Sequence, residues 1–170
     1  VISKMLDRNE TFALAECACR VSVAACQRPR DVCLIFDATG RCLIERGFAR
    51  KITKQEALDV VRRAEEAGLV HMTNNSQDRL NLICNCCPCC CAFFRVKSGR
   101  GLETYSRSNY VASVEADDCI CCGTCEERCP VNAITMVEDV AQVDMDVCIG
   151  CGVCTPTCEG DEAIRLRQRT

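Results

Sequence analysis

The sequence predicts an α+β chain in two parts, and three observations predict it. A four-cysteine run in the last third occurs twice, each copy flanked by short β-prone segments. Residues 54–67 carry an apolar stripe at helical spacing between a cap and a stop. Eleven further cysteines crowd the stretch 17–91, where packing alone calls for no such number. The expected parts are 1–96, a cysteine-rich loop and helix region organised around metal clusters, and 111–170, a duplicated unit with pseudo-two-fold symmetry. Residues 97–110 are polar, contain Gly99 and Gly101, and read as a linker.

Taken in chain order, residues 1–14 have mixed polarity and suit a helix leading into the first cysteines. The run 32-VCLIF-36 is short, apolar and β-prone. Asp37 to Gly40 reads as a turn, and 41-RCLIERG-47 as either a returning strand or a short helix ended by Gly47. The clearest helix is 54–67. Thr53 is its N-cap, Glu56 completes a capping box, and Gly68 supplies the stop. Leu58, Val61 and Ala64, with Val60 and Ala67, form its core face. A loop from Thr73 to Asp78 precedes the run 84-CNCCPCCC-91. Further on, 111-VASVEA-116, 133-AITMV-137, 140-VAQVD-144 and 163-AIRLR-167 read as strands. Glu138-Asp139 forms a hairpin turn between the middle two. Each half of this unit is strand, cysteine loop, short helix, strand.

Cysteine supplies 20 of the 170 residues. A secreted disulfide scaffold and an intracellular metal protein both reach that density. Val1 to Leu14 lacks the apolar core of a signal peptide, and neighbouring cysteines in 84–91 meet disulfide geometry poorly with each other. Metal–thiolate ligation is therefore expected, in a cytoplasm kept reducing and short of oxygen. No apolar run approaches the roughly 18 residues that span a bilayer. The first residue is Val, so upstream residues are expected. Charge is divided: residues 1–110 carry +5 and residues 111–170 carry −8, within a net of −3. The acidic part suits a basic docking surface on a partner and excludes nucleic-acid binding through 111–170.

The doubled run carries the chemistry. Cys119, Cys122, Cys125 and Cys129 follow C-x2-C-x2-C-x3-C, and Cys148, Cys151, Cys154 and Cys158 repeat it 29 residues later. That spacing, twice, is the thiolate pattern of two 4Fe–4S cubanes. Two-residue gaps on a tight loop aim three sulfurs into one concavity. Glycines such as Gly123, Gly150 and Gly152 permit close backbone approach. Ile120, Ile134, Ile149 and Ile164 provide an apolar surround. Cys121 stands where the second run has Gly150 and reads as a spare thiol. Cys158 is followed by Glu159 rather than Pro, and its loop is one residue longer.

Residues 111–168 resemble the bacterial two-cluster ferredoxins. The resemblance implies a two-cluster ferredoxin-like fold and shared ligation, the fourth cysteine of each run serving the other cluster. One cluster would use Cys119, Cys122, Cys125 and Cys158. The second would use Cys148, Cys151, Cys154 and Cys129.

Upstream, one or two more iron–sulfur clusters are expected among residues 17–91. The candidate ligands are Cys17, Cys19, Cys26 and Cys33 from one stretch and Cys84, Cys86, Cys87 and Cys90 from the other, with interleaving between stretches allowed. Cys42 reads as a bystander and His71 as a packing residue. Arg95 and Lys97 either offset cluster charge or are simply solvated. A second resemblance covers nearly the whole chain. Ala15, Cys17, Cys19, Arg20, Cys26, Pro29, Cys33, Leu34, 47–50, Ile52, 56–58, 67–71 and 83–91 are similar to a cysteine-rich region that some anaerobe proteins carry directly before a two-cluster ferredoxin domain. It implies iron–sulfur electron transfer.

The expected function is low-potential, single-electron transfer, with no catalytic site of the chain's own. The chain would be a carrier or an electron-wire subunit of an anaerobic redox complex, with a flavoprotein or other oxidoreductase subunit as partner. Two other readings stand beside it: a redox enzyme subunit with an open or non-cubane cluster in the N-terminal region, and a redox-sensing regulator.

Overall fold

A computed structural model describes residues 2–74, 76, 80–100, 104–160 and 163–169, with the backbone alone at 97–100. Of the loop expected at Thr73–Asp78, it describes Thr73, Asn74 and Ser76. Gly101, the Lys97 side chain and positions 161 and 162 of the longer cysteine loop lie outside the described residues. The chain is mixed α and β and divides into two compact units, Val1–Arg95 and Val96–Thr170. Among the described residues no helix is long and apolar enough to cross a membrane.

The first unit is built on a five-stranded antiparallel sheet. Its strands are β1 (Phe12–Ala15), β2 (Cys33–Phe36), β3 (Arg50–Ile52), β4 (Val70–Thr73) and β5 (Leu82–Cys86), in the order β3-β1-β2-β5-β4. The β-prone run 32–36 becomes β2; elsewhere in this unit the sequence predicts loops and helices, so the rest of the sheet is a correction. Helix α1 (Ile2–Leu6) is short, and the rest of the segment that reads as helical enters β1. Leu6, Phe12, Leu14, Val32, Leu34, Phe36 and Ile83 form the core with Cys17, Cys87 and Cys90. Phe12 and Phe36 face each other across β1 and β2 and meet edge to face at 5.8 Å, worth about 1 kcal/mol beyond burial.

Helix α2 (Ala18–Val23) comes after β1. Asp37 does turn the chain, at a left-handed φ of 49°, and its carboxylate accepts the N–H groups of Glu10 and Thr11 at 3.0 Å. The chain then continues as helix α3 (Asp37–Glu45), not as a returning strand. Gly40 fixes its seat, because a Cβ there would meet the Ile35 carbonyl oxygen at 3.0 Å. Helix α4 (Lys54–Glu66) has both halves of the Thr53–Glu56 capping box, and Gly68 succeeds it at φ 67°. Its buried line is Ala57, Val60 and Ala64, with Leu58, Val61 and Ala67 half-buried beside it. The core face is thus rotated from the stripe that the sequence pattern suggests. Helix α5 (Ala92–Arg100) runs into the stretch expected to be a linker.

In the second unit β6 (Tyr110–Val114) pairs antiparallel with β9 (Ile164–Gln168). The middle strands β7 (Ile134–Val137) and β8 (Val140–Val143) form a hairpin. Glu138 and Asp139 both take positive φ, 49° and 64°, the type I′ geometry that matches strand twist. Val111, Ala112, Ala133, Ile134, Ala141 and Ile164 make the core with Cys148 and Cys154. Helix α6 (Thr124–Arg128) lies within the first cysteine run. The second run has turns in the corresponding place, a departure from the helix expected in each half. Pro156 explains it: proline lacks an N–H donor and disfavours the helical region at Thr155.

Candidate metal centres

The second unit contains two cavities lined by thiols and apolar groups. The first is lined by Cys119, Cys122, Cys125 and Cys158 together with Val114, Ile120, Met136 and Ile164. The second is lined by Cys129, Cys148, Cys151 and Cys154 with Ile134, Ile149 and Leu166. Each cavity thus gathers three cysteines of one run and the last cysteine of the other. Cys121 stays out of both. It is exposed at φ 61°, and its sulfur faces the Asp139 carbonyl.

The backbone shapes both cavities. Gly150 takes φ 66°, and a Cβ there would come within 1.9 Å of the Tyr110 carbonyl oxygen, so the loop closes on β6 only with glycine. N–H groups point at sulfur: Ala133 donates to Cys129 Sγ at 3.1 Å. Burial pushes the Cys151 thiol up to about 11 and that of Cys154 to about 12, while the Thr124 hydroxyl and N–H lower Cys122. Four thiolates in such apolar walls need a cationic group among them. A cluster core of net positive charge fits that demand and would displace the thiol protons on loading.

Two groups of cysteines form in the first unit. One is Cys26, Cys87, Cys89 and Cys90, whose sulfurs all lie within 4.8 Å of one another. Cys26 Sγ is 3.9 Å from Cys87 Sγ and 3.8 Å from Cys90 Sγ. The other is a chain of neighbouring thiols whose charges act on one another, Cys17, Cys33, Cys84, Cys86 and Cys91. Strand geometry assembles it. Side chains alternate along β5, so Cys84 and Cys86 share one face and Ile83 and Asn85 the other. Cys33 of β2 lies on the face away from the Leu34–Ile83 pair. Cys17 stands at the head of α2 and Cys91 at the head of α5.

Cys17 and Cys84 beside it push the Cys33 thiol up, and Cys84 and Cys91 push Cys86 up likewise. The same neighbours are the main cause that lowers Cys17, Cys84 and Cys91. At Cys91 the Phe93 and Phe94 N–H groups at the start of α5 add to the effect. Thiolates at neutral pH are ready metal ligands.

No family model matches the chain, and no curated protein does. The functional reading therefore rests on the residues.

Of the upstream candidates, the structure brings Cys26, Cys87 and Cys90 into the quartet and Cys17, Cys33, Cys84 and Cys86 into the chain. Cys19 in α2 joins neither, and nor does Cys42 in α3. Cys89 and Cys91 are additions that spacing alone does not single out. A readable signal for Cys89 is Pro88, which starts a tight turn closed by the Cys91 N–H on the Cys87 carbonyl at 3.0 Å. His71 pairs with Asn85 in the β4–β5 register, and its Nδ1 lies 2.6 Å from Asn85 Oδ1. Asn85 Nδ2 donates to the Val32 carbonyl, so Oδ1 accepts and His71 Nδ1 carries the proton. The imidazole is thereby held on the face opposite Cys84 and Cys86.

Among the described residues Arg20 is the other buried polar or charged side chain, with no exposed surface. It donates to the Pro29 carbonyl at 2.5 Å, the Asn85 carbonyl at 2.9 Å and Cys87 Sγ at 3.4 Å.

Proposed function

We propose that the chain is an iron–sulfur electron-transfer protein, a carrier or an electron-wire subunit of a redox complex working in a reducing, anaerobic cytoplasm. The observation that carries the reading is the exchange of last cysteines between the two cavities of the second unit. Cys119, Cys122, Cys125 and Cys158 would hold one 4Fe–4S group, and Cys148, Cys151, Cys154 and Cys129 the other. The fold would be that of a duplicated two-cluster ferredoxin. A further iron–sulfur group would sit on the chain Cys17, Cys33, Cys84, Cys86 and Cys91, whose five sulfurs exceed the four that a cubane takes.

Each group, when bound, accepts and returns one electron. The residues do the rest. Thiolates fix each group in place. Apolar side chains such as Ile120, Ile149 and Leu166 exclude water from it. N–H groups aimed at sulfur, as at Cys129, draw off negative charge and so favour the reduced state. The −8 charge of residues 111–170, made more negative by bound clusters, would dock a basic surface on a partner such as a flavoprotein subunit.

Iron and acid-labile sulfide counts on anaerobically purified full-length chain test the reading. About twelve of each are expected, eight from the second unit and four from the first. Reduction should give interacting cluster signals by electron paramagnetic resonance. Iron without sulfide would sink the proposal.

A further inference from the structure

The quartet Cys26, Cys87, Cys89 and Cys90 differs from the other three sulfur groups in its scale. Four thiolates bound to one tetrahedral ion at about 2.3 Å lie about 3.8 Å from each other. Thiolates on a cubane bind four different irons, diverge from the centre, and lie roughly 6 Å apart. The quartet's sulfurs are 3.8 and 3.9 Å apart where they bracket Cys26, and none of its separations exceeds 4.8 Å. We propose that this quartet holds a single tetrahedral divalent ion, zinc or iron, and no inorganic sulfide.

Local structure builds the site from two directions. Pro88 and the bond from Cys91 N–H to Cys87 O wind residues 87–91 into one turn, which gathers three sulfurs. Cys26 reaches them from the other side, because Ala24 ends α2 at a left-handed φ of 52°. Cys87 and Cys90 are almost wholly buried.

Charge is the second, independent observation. Arg20 is fully buried, and it reaches the quartet through Cys87 Sγ. Its other hydrogen bonds go to two backbone carbonyls, neither of which carries a balancing charge. A divalent ion with four thiolates carries a net −2, which gives the guanidinium its counter-charge. Loading exchanges the remaining thiol protons of the quartet, released to solvent, for one ion; no redox step is involved.

The test counts metal against sulfide in the full chain, native and Cys89→Ser. Cubanes contribute equal iron and sulfide, so the native chain should hold about one metal ion beyond its sulfide. Cys89→Ser should lose that ion and keep all its sulfide. Loss of about four irons together with four sulfides would overturn the proposal and make the quartet a cubane. So would a native chain with no metal beyond sulfide. A zinc-edge X-ray absorption spectrum of the native chain loaded with zinc decides independently of how the variant folds. Four sulfurs at about 2.3 Å with no metal neighbour support the site. Nitrogen or oxygen in that shell overturns it. Should the sulfide be missing altogether, the iron–sulfur reading fails while the excess ion still stands.

Discussion

Cys158→Ser is expected to remove the cluster of the first cysteine run and spare that of its own. The variant should lose about four of the irons and four of the sulfides counted for the native chain. Its location is checked by double variants. Cys158→Ser with Cys122→Ser should lose no more iron than either alone, because both residues line one cavity. Cys158→Ser with Cys148→Ser should lose about twice as much, because these line different cavities. The reverse pattern would mean that each run serves a single cluster. Cys129→Ser provides the mirror case, pairing with Cys148, Cys151 and Cys154.

Arg20→Met is expected to destabilise the first unit by about 3–5 kcal/mol, since it breaks a buried charge contact by removing one partner. The Pro29 and Asn85 carbonyls lose their donor, and the quartet loses its cation. Denaturant unfolding of anaerobic, metal-loaded chain measures this. Arg20→Lys should recover only part of the loss, since one ammonium cannot reproduce the planar fork that reaches three acceptors. The signals of the second unit should be unchanged in both variants. A loss in Arg20→Met no greater than that of an ordinary surface substitution would rule out Arg20 as the charge partner.

The sequence is most informative where geometry repeats. The hairpin at Glu138-Asp139, the four strands of the second unit and the capped helix α4 are all legible, because turn chemistry and period speak within a few residues. Apart from the β-prone run that becomes β2, the five-stranded sheet is not. Its strands are three to five residues long, and β1 reads FALA, which has no period to distinguish strand from helix. The helix starting at Asp37 is hard to read because its decisive contact, Gly40 against the Ile35 carbonyl, is tertiary. The division of the upstream cysteines is hidden for a similar reason. Alternation along β5 sends Cys84 and Cys86 one way, and the Pro88 turn sends Cys87, Cys89 and Cys90 another; spacing alone merges the two.

That division has a consequence for assembly. The ribbon 86–91 belongs to both groups of the first unit: its ends, Cys86 and Cys91, go to the chain of neighbouring thiols, and its middle goes to the quartet. Anchoring either part shortens the free loop that the other must close and lowers the entropy lost in closing it. The two upstream groups are thus thermodynamically linked, each favouring the filling of the other. Metal titrations of the unloaded chain should rise more steeply than independent sites allow, and independent isotherms would count against the linkage. A chain with one upstream site filled would then fill the other more readily.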